Sequence, residues 1–199
     1  MGVKVRQNKK EAEVRYLFEL RSVLYDQEWL KKAKNFPIYE IYRGLKFFDG
    51  IRYDETVIFP GIFGKEFAKT KGHFHLGNFG ELYKVISGIG IFLLQKGKRK
   101  VKDVYFVRAK RGEFVLIPPG YGHVTINPSK KVLKIGNWIS KDCLSDYLSV
   151  EKKKGLCYYL TIEGWIKNKN YKRVPKLKEK KPLKKMPKNL ICLLSPKNG

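Results

Sequence analysis

The sequence predicts an all-β fold, a sandwich or barrel of many short strands, and two observations carry that prediction. Between Pro37 and Ile162, segments rich in aromatic and β-branched residues recur at regular intervals, each closed by a Gly, Pro, Asn or Asp turn signal. One of those signals, Asp49-Gly50, is the dipeptide that a two-residue hairpin prefers.

The elements follow in order. Residues 11–25 carry Val14, Leu17, Phe18, Leu20, Val23 and Leu24 with a periodicity that fits either a strand or a helix. Asp26 reads as the N-cap of a short helix from Gln27 to about Lys34, with Glu28 in its first turn and lysines near its end. Pro37 forces a restart, and Ile38–Tyr42 has strand composition. Asp49-Gly50 then joins Leu45–Phe48 to Ile51–Phe59 as a hairpin, and Pro60-Gly61 marks the next turn. Further strands are expected at Leu82–Ser87, Gly90–Gln95, Val104–Arg108, Phe114–Ile117, Val124–Ile126, Val132–Trp138 and Leu156–Ile162. After Trp165 the composition changes: Lys167 to Gly199 holds twelve basic residues, a single acid (Glu179) and four prolines. That segment is expected to be extended or disordered for much of its length. Its apolar patch, Leu190–Leu194, could dock on the body or on a partner subunit. Three regions result: an N-terminal segment with a short helix packing on the body (1–36), the β body (37–165) and a lysine-rich C-terminal extension (166–199).

Composition excludes several classes. With 199 residues, 43% hydrophobic and 31% charged, the chain is expected to be a soluble globular protein. No apolar run approaches the ~20 residues of a membrane span. Met1 to Arg6 lead into charged residues with no apolar leader, so a cytoplasmic location is expected. Cys143, Cys157 and Cys192 are odd in number and widely spaced, which argues against a disulfide framework or a thiolate metal site. The formal charge of +25 could attract anionic metabolites or nucleic acid. Lysine supplies 34 of the 43 basic residues, however, and arginine is the residue preferred for bidentate phosphate and base contacts. Nucleic acid is therefore the less favoured partner, and a lysine-rich solvated surface the simpler account.

The chemistry concentrates in Thr70-Lys71-Gly72-His73-Phe74-His75-Leu76-Gly77-Asn78-Phe79-Gly80-Glu81, which holds two of the three histidines. In an extended strand, side chains two apart share a face, so His73 and His75 project together. Glu81 can return beside them after a loop containing Gly77 and Gly80. Imidazole nitrogens with a carboxylate oxygen suit borderline divalent ions: Fe²⁺, Mn²⁺, Ni²⁺, Co²⁺ or Zn²⁺. His123 lies in a second motif, Gly112 through Pro118-Pro119-Gly120-Tyr121-Gly122-His123 to Asn127. Gly88-Ile89-Gly90 lacks the third glycine and βαβ context of a dinucleotide loop.

These two motifs resemble those of the cupin superfamily, G-x5-H-x-H-x3,4-E-x6-G and G-x5-P-x-G-x2-H-x3-N. The second matches throughout. The first matches at His73, His75, Glu81 and Gly88, with Phe67 in place of the leading glycine and a longer loop before Glu81. The resemblance implies a double-stranded β-helix (jelly-roll barrel) with His73, His75, Glu81 and His123 as ligands of one divalent ion. A closer likeness covers about residues 20–150. Tyr39-Glu40-Ile41-Tyr42, Thr56 to Gly61, Gly64 to Phe67, Thr70 to His75, Glu81-Leu82-Tyr83 and Leu93-Leu94-Gln95 look like the archaeal cupin-type glucose-6-phosphate isomerases. That likeness implies an isomerase of glycolysis and gluconeogenesis, a cytoplasmic homodimer that binds a sugar phosphate and one divalent metal per subunit, commonly iron. Glu81 would be ligand and base, and Tyr39 and Tyr83 would orient hydroxyls. Thr56, Thr70, Lys71, Gly72 and Tyr147 would face the substrate and its phosphate. Ser145 stands where close relatives have a histidine, and Trp138 where they have a tyrosine. Aldose–ketose isomerisation moves a hydrogen between C1 and C2, as a proton through a cis-enediol or as a hydride, and the sequence leaves both open. Another cupin isomerase or oxygenase, or a non-catalytic sugar- or nucleic-acid-binding cupin, are the alternatives.

Overall fold

The computed structural model describes residues 11–194. The expectations for the N-terminal leader region and the last five residues lie outside the described residues. Sixteen strands run in chain order: β1 (Glu13–Tyr16), β2 (Pro37–Phe48), β3 (Ile51–Ile58), β4 (Ile62–Phe63), β5 (Glu66–Phe67), β6 (Phe74–Leu76), β7 (Glu81–Ser87), β8 (Ile89–Lys96), β9 (Asp103–Lys110), β10 (Phe114–Ile117), β11 (Tyr121–Ile126), β12 (Leu133–Ser140), β13 (Leu144–Asp146), β14 (Tyr158–Thr161), β15 (Gly164–Lys167) and β16 (Lys178–Lys180). Two short helices, α1 (Gln27–Lys32) and α2 (Leu148–Glu151), complete it with 3-10 turns at Leu17–Val23 and Ile191–Leu193.

The topology is the expected jelly roll. One sheet has the order β1-β2-β3-β12-β7-β10, and the facing sheet β11-β8-β9-β16. The His73–His123 bridge attaches β6 to the free edge of β11, placing β6 beside the second sheet. Between the sheets sit fully buried Ile58, Phe92, Leu93, Leu94, Ile117, Leu133 and Ile135, each worth about 1.5–3 kcal/mol of burial. Asp49 (φ 41°) and Gly50 (φ 81°) both adopt left-handed conformations, the demand of a type I′ turn that closes β2 onto β3.

Asp26 caps α1 as expected, its carboxylate accepting from the Trp29 N–H at 2.9 Å. Residues 11–25 resolve into β1 followed by a 3-10 helix, so both halves of the ambiguous periodicity are used. The C-terminal extension is largely extended, but it is tied down. Tyr171 is buried, and the buried Asn168 amide donates to the carbonyls of Lys153 and Leu156 at 2.8 and 2.9 Å. Lys178–Lys180 pairs in parallel with the edge of β9. The Leu190–Leu194 patch docks on the body of its own chain: Leu193 is fully buried with Leu82 and Phe114. Among the described residues no helix is long and apolar enough to cross a membrane.

Candidate metal centre and substrate cleft

Three strands from three different sheets, β6, β7 and β11, bring the four motif residues together. Gly72, at φ 78°, turns the chain into β6, and a Cβ there would stand 3.1 Å from the His123 carbonyl oxygen. The His73 N–H donates to the His123 carbonyl at 3.1 Å and the His123 N–H to the His73 carbonyl at 2.9 Å. That reciprocal pair sets the two rings 4.6 Å apart, with the His75 ring 5.2 Å from His73. Glu81 opens β7, where it pairs with Ile117 and Ile139. One donor atom from each of His73, His75, Glu81 and His123 lies within 4.8 Å of the others.

The polar partners show what the cluster is built to hold. Glu81 Oε2 lies 3.2 Å from His75 Nε2 and 3.2 Å from His123 Nε2. The Phe79 carbonyl stands 3.0 Å from His75 Nδ1; a carbonyl accepts only, so Nδ1 carries a proton and, in the neutral ring, Nε2 keeps its lone pair. A lone pair then faces a carboxylate oxygen. Both atoms are buried and neither has a hydrogen-bond partner, an arrangement that is repulsive until a proton or a cation lies between them. Cis ligands of an octahedral ion with ~2.1 Å bonds stand about 3 Å apart, so this spacing fits a divalent ion. The Asn137 amide donates to the other Glu81 oxygen at 2.7 Å, orienting the carboxylate.

Burial holds the His73 and His123 imidazoles below their ordinary range, so both stay neutral and able to ligate. Burial also pulls on His75, but the Glu81 carboxylate and the Phe79 carbonyl outweigh it and leave that ring above its ordinary value. Burial would raise Glu81; the flanking His123 and His75 override it and hold the carboxyl well below the usual range. Tyr83 is pushed far up by burial and by the Glu81 charge, so its hydroxyl remains protonated, 3.0 Å from His123 Nε2.

A cleft opens beside this cluster, lined by Tyr39, Thr56, Thr70, Lys71, Gly72, Tyr83 and Tyr147 together with His73, Glu81 and His123. Each residue expected to face a substrate is therefore present in one place. The Tyr147 ring packs 5.4 Å from that of His73. Thr70 Oγ1 accepts from the Thr125 N–H at 3.1 Å, and the Lys71 N–H reaches the Tyr39 hydroxyl at 3.4 Å. The Lys71 ammonium pairs with Glu151 on α2. Ser145 lines the cleft. Trp138 points to the opposite face of β12, against Tyr53 and Phe114, because its neighbours Asn137 and Ile139 take the inner face.

Sequence reasoning missed Arg43, Arg52, Asp54 and Asn137, which also line the cleft. Alternation was the available signal: once Thr56 faces inward, Asp54 and Arg52 share its side of β3, as Arg43 shares that of Tyr39.

A family model described as glucose-6-phosphate isomerase matches residues 14–176. The chain belongs to the glucose-6-phosphate isomerase family. Among curated members of this isomerase family, the glucose-6-phosphate isomerase of Thermococcus onnurineus is 33% identical over 156 residues, covering 76% of this chain and 80% of the relative. That of Thermococcus kodakarensis is 32% identical over 160 residues, covering 77% and 82%. Among solved structures, oxalate decarboxylase from Bacillus subtilis aligns with a TM-score of 0.41 at 19% identity, over 54% of this chain and 27% of that one.

Proposed function

We propose that this protein interconverts glucose 6-phosphate and fructose 6-phosphate with one divalent ion held by His73, His75, Glu81 and His123. The observation that carries the metal dependence is the cluster itself: one donor atom from each of His73, His75, Glu81 and His123 lies within 4.8 Å of the others, and His75 Nε2 and Glu81 Oε2 are buried without a hydrogen-bond partner. A bound ion would supply Lewis acidity toward the substrate's C1 and C2 oxygens. The remaining work falls to side chains. Asn137 turns Glu81 so that one oxygen is committed to the amide and the other faces the cluster. Glu81 is the acid–base candidate for a cis-enediol route, moving a proton between C1 and C2 while the hydroxyl proton passes between O1 and O2; in a direct hydride shift between the carbons it serves as ligand alone. Tyr83 and Tyr39, both buried and both held protonated by burial, orient substrate hydroxyls. Thr56, Thr70, Lys71, Gly72 and Tyr147 form the wall for the rest of the sugar phosphate.

The nitrogen-rich donor set favours a borderline ion; the family resemblance puts iron(II) first, with Mn²⁺, Ni²⁺, Co²⁺ or Zn²⁺ as alternatives. A homodimer working in cytoplasmic glycolysis and gluconeogenesis is the accompanying proposal, drawn from the family resemblance. The test is a coupled assay of fructose 6-phosphate conversion on protein stripped of metal and then given Fe²⁺ or Mn²⁺. Activity that returns with the ion is the expected result. Equal activity in the stripped protein would refute the metal dependence, and no turnover with any ion would refute the isomerase reading.

A further inference from the structure

We infer that Arg52 and Arg43, anchored by Asp54, supply most of the positive charge that grips the substrate's phosphate, ahead of Lys71. The inference rests on the sugar-phosphate reading above. Asp54 is buried at 1% exposure in the wall of the cleft and uses both oxygens. Oδ1 accepts the Gly44 N–H at 2.6 Å, pinning an irregularity in β2 just after Arg43. Oδ2 accepts from Arg52 Nε at 2.9 Å and stands 3.8 Å from Arg43 Nη1, so two guanidiniums converge on one carboxylate oxygen.

That leaves donors to spare. Arg52 engages Asp54 through Nε, and among the described residues its two Nη groups have no hydrogen-bond partner, although its side chain is only 20% exposed. Arg43 is held from behind by Glu13, 2.9 Å from its Nε. A planar fork with free N–H groups, fixed before the ligand arrives, matches the bidentate geometry of phosphate oxygens better than an ammonium does. Lys71 is poorly placed to compete, because its ammonium is taken up by Glu151 on the outer side of the cleft. Arg52, Asp54 and Thr56 share one face of β3 and line the same cleft as Arg43, so the arginines add charge to a wall that also carries hydroxyls.

The experiment measures two quantities on full-length, Mn²⁺-loaded protein: binding of inorganic phosphate by calorimetry, and KM and kcat for fructose 6-phosphate. Variants are Arg52→Gln, Arg52→Lys, Arg43→Gln, Asp54→Asn and Lys71→Gln, each checked for manganese content and thermal melting. Loss of a charge-assisted bond predicts a roughly 10–100-fold weaker phosphate affinity and higher KM for Arg52→Gln. Metal content should be unchanged, and Arg52→Lys should recover part of the loss. Asp54→Asn keeps both arginines yet should weaken phosphate several-fold, because the fork is no longer held. Lys71→Gln, whose ammonium is already held by Glu151, should weaken phosphate binding less than Arg52→Gln does. Phosphate affinity of Arg52→Gln within twofold of wild type, or a larger loss in Lys71→Gln, would overturn the inference. Should Arg52→Gln fail to fold, Arg52→Lys and Arg43→Gln carry the same comparison. Phosphate binding that depends on Arg52 in a protein with no isomerase activity would sustain this inference and refute the activity; activity indifferent to Arg52 would do the reverse.

Discussion

Asn137→Ala tests how the carboxylate at the candidate metal centre is held. The Asn137 amide lies 2.7 Å from Glu81 Oε1, with both residues at most 5% exposed. A buried hydrogen bond to a charged group contributes about 1.5–3 kcal/mol. Removing the groups that orient a metal ligand commonly lowers metal affinity about 10–100-fold, the equivalent of roughly 1.4–2.7 kcal/mol. Both routes lead to the same range, so Asn137→Ala is expected to bind Mn²⁺ about 10–100-fold more weakly than wild type. Competition against a chromophoric chelator would measure it, with circular dichroism confirming that the barrel persists. Asn137→Asp supplies an internal control. It sets a second carboxylate in hydrogen-bond contact with the first, and two such groups cannot both ionise without strong repulsion. Its metal affinity should therefore depend on pH far more steeply than that of wild type. A dissociation constant for Asn137→Ala within twofold of wild type would refute the claim that the amide positions Glu81.

His75→Ala should lose nearly all bound metal, and elemental analysis showing full retention would contradict the ligand assignment. Lys69, buried at 5%, pairs with Glu66 at 2.6 Å and donates to the Val23 carbonyl at 2.7 Å; Lys69→Met should cost about 3–5 kcal/mol in urea unfolding by stranding the Glu66 charge, and pairing it with Glu66→Gln should restore part of that. The Asp146 carboxyl sits at about 2, because Lys98 and Ser149 outweigh its partial burial. A lowered folded-state value means stability that is full above the ordinary carboxylate range and disappears as pH falls toward 2. Asp146→Asn should thus cost about 1–2 kcal/mol at pH 6, allowing for the exposed Lys98 partner, with the gap closing as the pH drops; an unchanged gap at acid pH would contradict this. Leu193→Ala should destabilise the protein by about 2–5 kcal/mol in the same unfolding assay, whereas a tail that merely drapes over the surface would show no change.

The strands that were legible are those long enough to display a pattern. Asp49-Gly50 announced its hairpin because only residues tolerant of positive φ can close it. β4, β5 and β13 run two or three residues, too short to show alternation. Lys178-Glu179-Lys180 is exposed and charged, and becomes a strand only because the β9 edge offers free hydrogen-bonding groups. In the site, the histidines and Glu81 were legible because ligand types recur at a fixed spacing. Arg52, Asp54 and Asn137 carry no such spacing, and ordinary charged and amide residues abound on strands.

The sequence by itself determined the local choices: which residues turn, which extend, and that His73 and His75 share a face, since period-two alternation needs no partner. Only the tertiary structure decided what those faces meet. The pairing of His73 with His123 across fifty residues of chain, the Asn137 amide on Glu81, and the two arginines converging on Asp54 all depend on which strands lie side by side. Those neighbours are chosen by the closure of the jelly roll around its core, a cooperative packing outcome that no single segment encodes.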